Sequence, residues 1–287
     1  MSSVVLFTII CLTLIALIAA VILYFVAQKF KVFEDPRIDE IQEILPAANC
    51  GGCGFAGCRN FAEALVKAET FEGLNCPIGG SSVMGDAAKI LGKEAPVVEP
   101  LVAVLLCNGT PEYRPRTSLY NGVNECRISH ALYIGESDCS YGCLGNGDCV
   151  TACTFNAIYM DRTTGLPVII DEKCVACGAC VKACPRNIIE LRKKAKKDRK
   201  IYVACSNCDK GGPARRACKV ACIACSKCFK VCEFDAIKIE NNLAYIDANK
   251  CTFCRKCVPE CPTNSILELN FPPRKPRVEL HAEIVNG

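Results

Sequence analysis

From Val4 to Ala27 the chain carries no charged residue, and only Thr8, Cys11, Thr13 and Tyr24 interrupt an otherwise apolar run. Such a run is long enough to cross the hydrocarbon core of a bilayer with some tilt, so residues 1–28 read as a transmembrane helix. A cleaved signal peptide would have a positively charged start and a shorter apolar core, and this segment has neither. Lys29 and Lys31 follow immediately, and basic residues collect on the cytoplasmic side of a span. The expectation is a single-pass protein of the cytoplasmic membrane with its soluble region inside. The span itself holds no acidic or basic side chain and offers no ion pathway of its own; Cys11 reads as a packing residue.

Beyond the span the pattern becomes amphipathic. Ile38 to Leu45 and Asn60 to Ala68 follow helical periodicity, the second with Phe61, Ala64 and Leu65 on one face, and predict a small, mainly helical module over 33–93. Glu94 to Pro100 reads as a linker. The apolar runs then shorten to strand length: Leu101 to Leu106, Ala157 to Met160, Pro167 to Asp171, Ile201 to Ala204, Ala236 to Glu240 and Leu243 to Asp247. Asn241-Asn242, between the last two, tolerate the positive φ of a hairpin turn. The pattern repeats, predicting an α+β chain with two tandem modules, 101–198 and 199–270, and a tail over 271–287.

Composition changes the picture through cysteine. The chain has 26 in 287 residues, against no Trp and 12 Phe, so its soluble part has few large side chains for a core. In a long intracellular chain that density suggests metal binding rather than disulfides, and metal binding then contributes to folding. The net charge of +4 is too small to argue nucleic-acid binding. Cys174-x2-Cys177-x2-Cys180-x3-Cys184-Pro185 and Cys251-x2-Cys254-x2-Cys257-x3-Cys261-Pro262 have the bacterial ferredoxin spacing. Cys222-x2-Cys225-x2-Cys228-x3-Cys232 repeats it without the proline, and Cys139-x3-Cys143-x5-Cys149-x3-Cys153 is a stretched version. Ile158, Ile189, Ile237 and Ile266 follow the four runs at one offset.

A cubane cluster presents four irons at tetrahedral corners, so three thiolates on one tight loop cap one face and the fourth comes from elsewhere. Paired ferredoxin loops exchange their last cysteines. The expected sets are Cys139, Cys143, Cys149 and Cys184; Cys174, Cys177, Cys180 and Cys153; Cys222, Cys225, Cys228 and Cys261; and Cys251, Cys254, Cys257 and Cys232. These make each tandem module a ferredoxin-like 2[4Fe–4S] unit. Zinc sites also use C-x2-C pairs, but they join two separated knuckles rather than running four cysteines together. In the helical module, Cys50, Cys53 and Cys58 lie in a glycine-rich turn and Cys76 follows, a set suited to one further cluster.

Five cysteines remain. Cys107, Cys126, Cys205 and Cys218 occupy matched places before the ferredoxin loops and suggest a sixth centre between the halves, with Cys208 as a spare ligand. At least five [4Fe–4S] clusters are expected, and six if that centre forms. Gly142, Gly145 and Gly147 have interleaved cysteines and no βαβ unit after them, so they read as a cluster-wrapping loop and not as a dinucleotide site. His130 and His281 read as surface or core residues. The basic run Arg192 to Lys200 is either a solvated connector or a docking patch for an acidic electron carrier.

An apolar N-terminal span, the glycine-rich Cys50–Cys76 module and repeated ferredoxin loops, in that order, resemble the B subunit of the Rnf-type ion-translocating ferredoxin:NAD oxidoreductase. Cys139-Ser140-Tyr141-Gly142-Cys143 and Asn241-Asn242-Leu243-Ala244-Tyr245-Ile246-Asp247 are similar to segments of its longer, multi-ferredoxin members. The resemblance implies a membrane-anchored polyferredoxin that takes electrons from soluble ferredoxin. It would pass them to membrane and flavin-bearing subunits of the complex, with no NAD site or catalytic residue of its own. Two other classes compete: the iron–sulfur subunit of another membrane oxidoreductase or hydrogenase, which would usually lack the Cys50–Cys76 module, and a non-redox zinc scaffold.

Overall fold

The computed structural model describes residues 2–29, 35–96 and 99–273. Lys31, Val97 and Val98 of the linker, His281 and the tail from 274 onward lie outside the described residues. The first element is helix α1 (Ser2–Lys29). Its Val5–Val26 stretch has a mean hydropathy of 3.1 and is nowhere buried against the rest of the protein. A helix apolar on every side has no face that prefers water, and this one is apolar enough to cross a membrane.

The first soluble module packs α2 (Arg37–Ile44), α3 (Cys58–Lys67) and α4 (Gly80–Leu91) around Ile41, Phe61, Leu65 and Met84, all fully buried. The cysteine turn is tied to α3 by Asn49, whose Oδ1 accepts the Cys58 N–H at 2.8 Å. That bond satisfies a donor the helix start would otherwise leave open.

The remainder is one topology used twice. In the first half come β1 (Leu101–Leu105), α5 (Cys126–Leu132), α6 (Asp148–Thr151), β2 (Ile158–Met160), β3 (Pro167–Ile169), α7 (Ala179–Ala183) and β4 (Ile189–Lys193). In the second come β5 (Lys200–Val203), α8 (Gly211–Ala217), α9 (Lys227–Lys230), β6 (Ile237–Glu240), β7 (Leu243–Ile246) and β8 (Ile266–Leu269). Each half pairs its first strand antiparallel with its last, Leu105 facing Ile189 and Val203 facing Ile266. Its middle strands form a hairpin. The four isoleucines therefore open or line strands beside the cysteine loops, and all four are buried.

A backbone repeat accompanies them. Asn156, Asn187, Asp235 and Asn264 each adopt a left-handed φ of 47–53° between the last cysteine of a run and its isoleucine. Asn and Asp tolerate this region best among residues with a Cβ, because the short polar side chain bonds locally. The three tight loops add two more left-handed positions each: Ala176 and Gly178, Ala224 and Ser226, Phe253 and Arg255. Turning twice within a few residues brings three thiols to one side of the loop.

The halves meet through Val104 against Tyr202 and Ala204, and through an ion pair between Lys200 Nζ and Asp171 Oδ1 at 2.5 Å, both side chains nearly inaccessible. The two ends of the basic run, Arg192 and Lys200, are thus part of the fold. Arg192 is buried beneath the Tyr202 and Tyr245 rings and donates to the carbonyls of Ile201 and Ile246. Lys193 pairs with Glu99, and Lys194 with Asp198 at 3.1 Å. Lys196 and Lys197 are exposed.

Candidate metal centres

No two cysteines are joined by a disulfide, and many line small cavities. Cys50, Cys53, Cys58 and Cys76 line one cavity in the helical module. Cys222, Cys225, Cys228 and Cys261 line another between β5 and the α9 loop. The last cysteine of the second run in that half is therefore brought to the loop of the first.

Two further groups of thiols lie near enough to disturb one another. Burial, then Cys174 and Cys177, and more weakly Cys153, push the Cys180 thiol up to about 11. Burial followed by Cys251, Cys228 and Cys254 pushes Cys257 up to about 12. Cys251 is raised by burial first, with Cys254 and Cys232 among its neighbours. Thiolates gathered in one enclosed space repel each other and lack solvent, and both effects raise these thiols.

The first half departs from the expected grouping at one pair of residues. The cavity that Cys143, Cys149 and Cys184 share takes in Cys126 and leaves out Cys139, although Cys139 and Cys143 both line a second cavity beside it. Cys139 instead lines the cavity between the halves with Cys107, Cys205 and Cys218. Two anchors explain the exchange. The Asp148 carboxylate accepts the N–H of Cys126 at 2.6 Å and that of Arg127 at 3.0 Å, clamping the start of α5 beside Cys149. The loop after Cys139 is held toward the second half: Ser206 Oγ donates to the Tyr141 carbonyl at 3.2 Å, and Asn207 Nδ2 reaches Cys139 Sγ at 3.6 Å. The longer spacing of this run leaves enough chain for its first cysteine to face away from the other two. Cys208 stands outside the shared cavity, its Sγ 3.7 Å from the Ser206 carbonyl, and His130 is exposed on α5.

The donor set suits iron–sulfur clusters: four thiols line each of these cavities, and thiolate sulfur is the ligand such clusters take. Among the described residues no group of three His, Cys, Asp or Glu is spaced to hold a single metal ion. The cysteine sets also adjoin. Cys143 N–H donates to Cys107 Sγ at 3.5 Å, and Cys222 N–H to Cys205 Sγ at 3.3 Å. Cys149, pushed up to about 12 chiefly by burial, feels Cys126 and Cys184 of its own set and Cys180 of the next. Cys177, raised chiefly by burial, feels Cys50 of the helical module.

Comparison with known proteins also points to iron–sulfur chemistry. An Fe–S cluster family matches residues 45–77, a 4Fe-4S binding domain residues 167–190, and a 4Fe-4S dicluster domain residues 221–265. The B subunit of the Na(+)-translocating ferredoxin:NAD(+) oxidoreductase complex of Acetobacterium woodii is 44% identical over 84% of this chain and 71% of its own length. The chain belongs to the B subunits of ion-translocating ferredoxin:NAD oxidoreductases. The B subunit of the proton-translocating complex of Clostridium ljungdahlii is 39% identical over 89% of both chains. That of the ion-translocating oxidoreductase complex of Methanosarcina acetivorans is 38% identical over 93% of this chain and 99% of its own. As a member of this family the chain is an iron–sulfur electron-transfer component of a redox translocase, which removes the zinc-scaffold alternative.

Sequence reasoning missed Asp148, Asn207, Arg114 and Arg186 beside the cysteines. Arg186 donates to the carbonyls of Ser140, Gly142 and Ile134 and so holds the stretched loop. Its place directly after Cys184-Pro185 was the available signal; Asp148, next to Cys149, offered a similar one.

Proposed function

We propose that the chain relays electrons from a soluble ferredoxin to the membrane and flavin-bearing subunits of its complex through six [4Fe–4S] centres in single file. Bound clusters supply one-electron chemistry, and the chain fixes their positions and surroundings. The ligand sets would be Cys50, Cys53, Cys58 and Cys76; Cys153, Cys174, Cys177 and Cys180; Cys126, Cys143, Cys149 and Cys184; Cys107, Cys139, Cys205 and Cys218; Cys222, Cys225, Cys228 and Cys261; and Cys232, Cys251, Cys254 and Cys257, in that spatial order. The observation that supports this reading is that neighbouring sets lie side by side: Cys143 N–H donates to Cys107 Sγ and Cys222 N–H to Cys205 Sγ, the Gly52 backbone packs on Cys177, and Cys149 and Cys257 are near enough to feel the charge of Cys180 and Cys228.

The two ends differ. Cys225 and Cys254, both in the second ferredoxin-like half, are the exposed cysteines among the described residues, and exposed Lys227, Phe229 and Lys230 flank Cys225. An acidic ferredoxin would dock there, steered by charge. The other end lies in the module that follows the anchor. The soluble region faces the cytoplasm in this reading, where reducing conditions protect the thiols, and the chain holds no NAD site.

Rapid mixing with reduced ferredoxin tests the order. With Cys107 and Cys205 both replaced by serine, centres of the second half should still be reduced while the Cys50–Cys76 centre stays oxidised. Unimpeded reduction of the Cys50–Cys76 centre would show that the sets are not used in single file. Protease access in sealed vesicles of both orientations tests sidedness.

A further inference from the structure

We infer that Asn207 and Arg114 are positioning residues for the centre held by Cys107, Cys139, Cys205 and Cys218, raising its reduction potential against the effect of its burial. The inference rests on the six-centre reading above. Cys107, Cys139 and Cys218 are buried where the two halves meet. An electron added to an iron–sulfur centre adds negative charge, and enclosure away from water disfavours that charge. In a single-file relay an uncompensated centre there would be a barrier between the halves.

The chain surrounds this set with donors. Cys143 N–H lies 3.5 Å from Cys107 Sγ; Cys222 N–H and Asn207 N–H lie 3.3 and 3.5 Å from Cys205 Sγ. Asn207 Nδ2 lies 3.6 Å from Cys139 Sγ, and this is the one side-chain amide that reaches a cysteine sulfur among the described residues. Asn207 is 1% exposed. Its Oδ1 accepts the Asp209 N–H at 2.7 Å, which fixes the amide end turned to the sulfur. Arg114 lines the same cavity. One guanidinium nitrogen donates to the Cys143 carbonyl at 2.7 Å, while its buried Nε has no hydrogen-bond partner among the described residues. A Cβ on Gly142 would meet Arg114 Nη1 at 2.0 Å, so the guanidinium rests directly on that glycine's backbone beside Cys143. Donors to sulfur and a nearby cation both favour the reduced, more negative state.

Potentiometric titration of the full-length, cluster-loaded chain, followed by electron paramagnetic resonance, tests the inference. Asn207→Asp keeps the acceptor for Asp209 N–H and replaces the donor by an oxygen. It should lower one midpoint, leave the others in place and retain the iron content. Arg114→Met should lower the same midpoint, and Arg114→Lys, which keeps the charge, should restore it toward the parent value. The signal is assigned by its loss in Cys218→Ser. An unchanged midpoint in Asn207→Asp at full iron content overturns the role of the amide. Equal shifts in Arg114→Met and Arg114→Lys overturn the role of the charge, and the Arg114 pair decides alone if Asn207→Asp loses the centre. Full iron retention in Cys218→Ser would instead overturn the six-centre reading, and this inference with it.

Discussion

Gly52 lies so close to Cys177 that a Cβ on it would sit 3.0 Å from both the Cα and the carbonyl oxygen of that cysteine, and 2.8 Å from Pro77 Cγ. Backbone atoms cannot swing aside as a side-chain tip can, so the contact requires glycine. It joins the helical module to the first ferredoxin-like half at their cysteine loops.

Gly52→Val should therefore push the two loops apart without removing a ligand. Iron content is expected to stay at the parent level while electron transfer between the Cys50–Cys76 centre and the ferredoxin-like halves slows at least several-fold in rapid-mixing experiments. An unchanged rate would mean that electrons do not use this junction.

Cys126 and Cys139 are expected to report on different centres. The cluster-loaded chain should contain about 24 irons, at four per cluster. Cys139→Ser should lose the same resonance signal as Cys107→Ser, and Cys126→Ser the same signal as Cys143→Ser. The reverse pairing would restore the regular ferredoxin grouping for this run.

Asp171→Asn leaves Lys200 buried without its countercharge. A loss of about 3–5 kcal/mol is expected by denaturant unfolding of the cluster-loaded chain. The double variant Asp171→Asn, Lys200→Met should recover much of that loss, because an apolar side chain needs no partner. A single variant as stable as the parent would mean that water reaches the pair.

Ala224 holds a left-handed φ of 50° in a tight cysteine loop. Replacing it by glycine removes the Cβ clash and should raise stability by about 1 kcal/mol. Stability equal to or below the parent in the same unfolding assay would show that this loop gains nothing from relief at that position.

Lys227→Glu and Lys230→Glu together should slow ferredoxin oxidation and flatten its dependence on salt, since charge steering acts through exposed cations. Lys196→Glu and Lys197→Glu should leave the rate unchanged. Stopped-flow measurements across a range of ionic strength separate the two surfaces, and the opposite result would return docking to the basic run.

The apolar N-terminal run and the ferredoxin-type cysteine loops were legible in the sequence because each depends on local spacing. A span is a matter of uninterrupted length, and three thiols on a C-x2-C-x2-C loop converge through the turns of that loop alone. The offset of the four isoleucines likewise marked strands that the structure contains, and the Asn or Asp preceding each could have been read the same way. What the tertiary structure decided lies where the chain is long enough to choose. Cys139, at the head of the stretched run, sits between two neighbouring groups, and its place depends on Asp148 holding Cys126 on one side and on Ser206 and Asn207 holding the Cys139 loop on the other. Sequence could not show that Arg192 and Lys200 within the basic run are buried, because Asp171 and the Tyr245 ring reach them from positions well separated in the chain. Contacts between residues far apart in the chain leave no periodic trace, so only the folded packing could assign those partners.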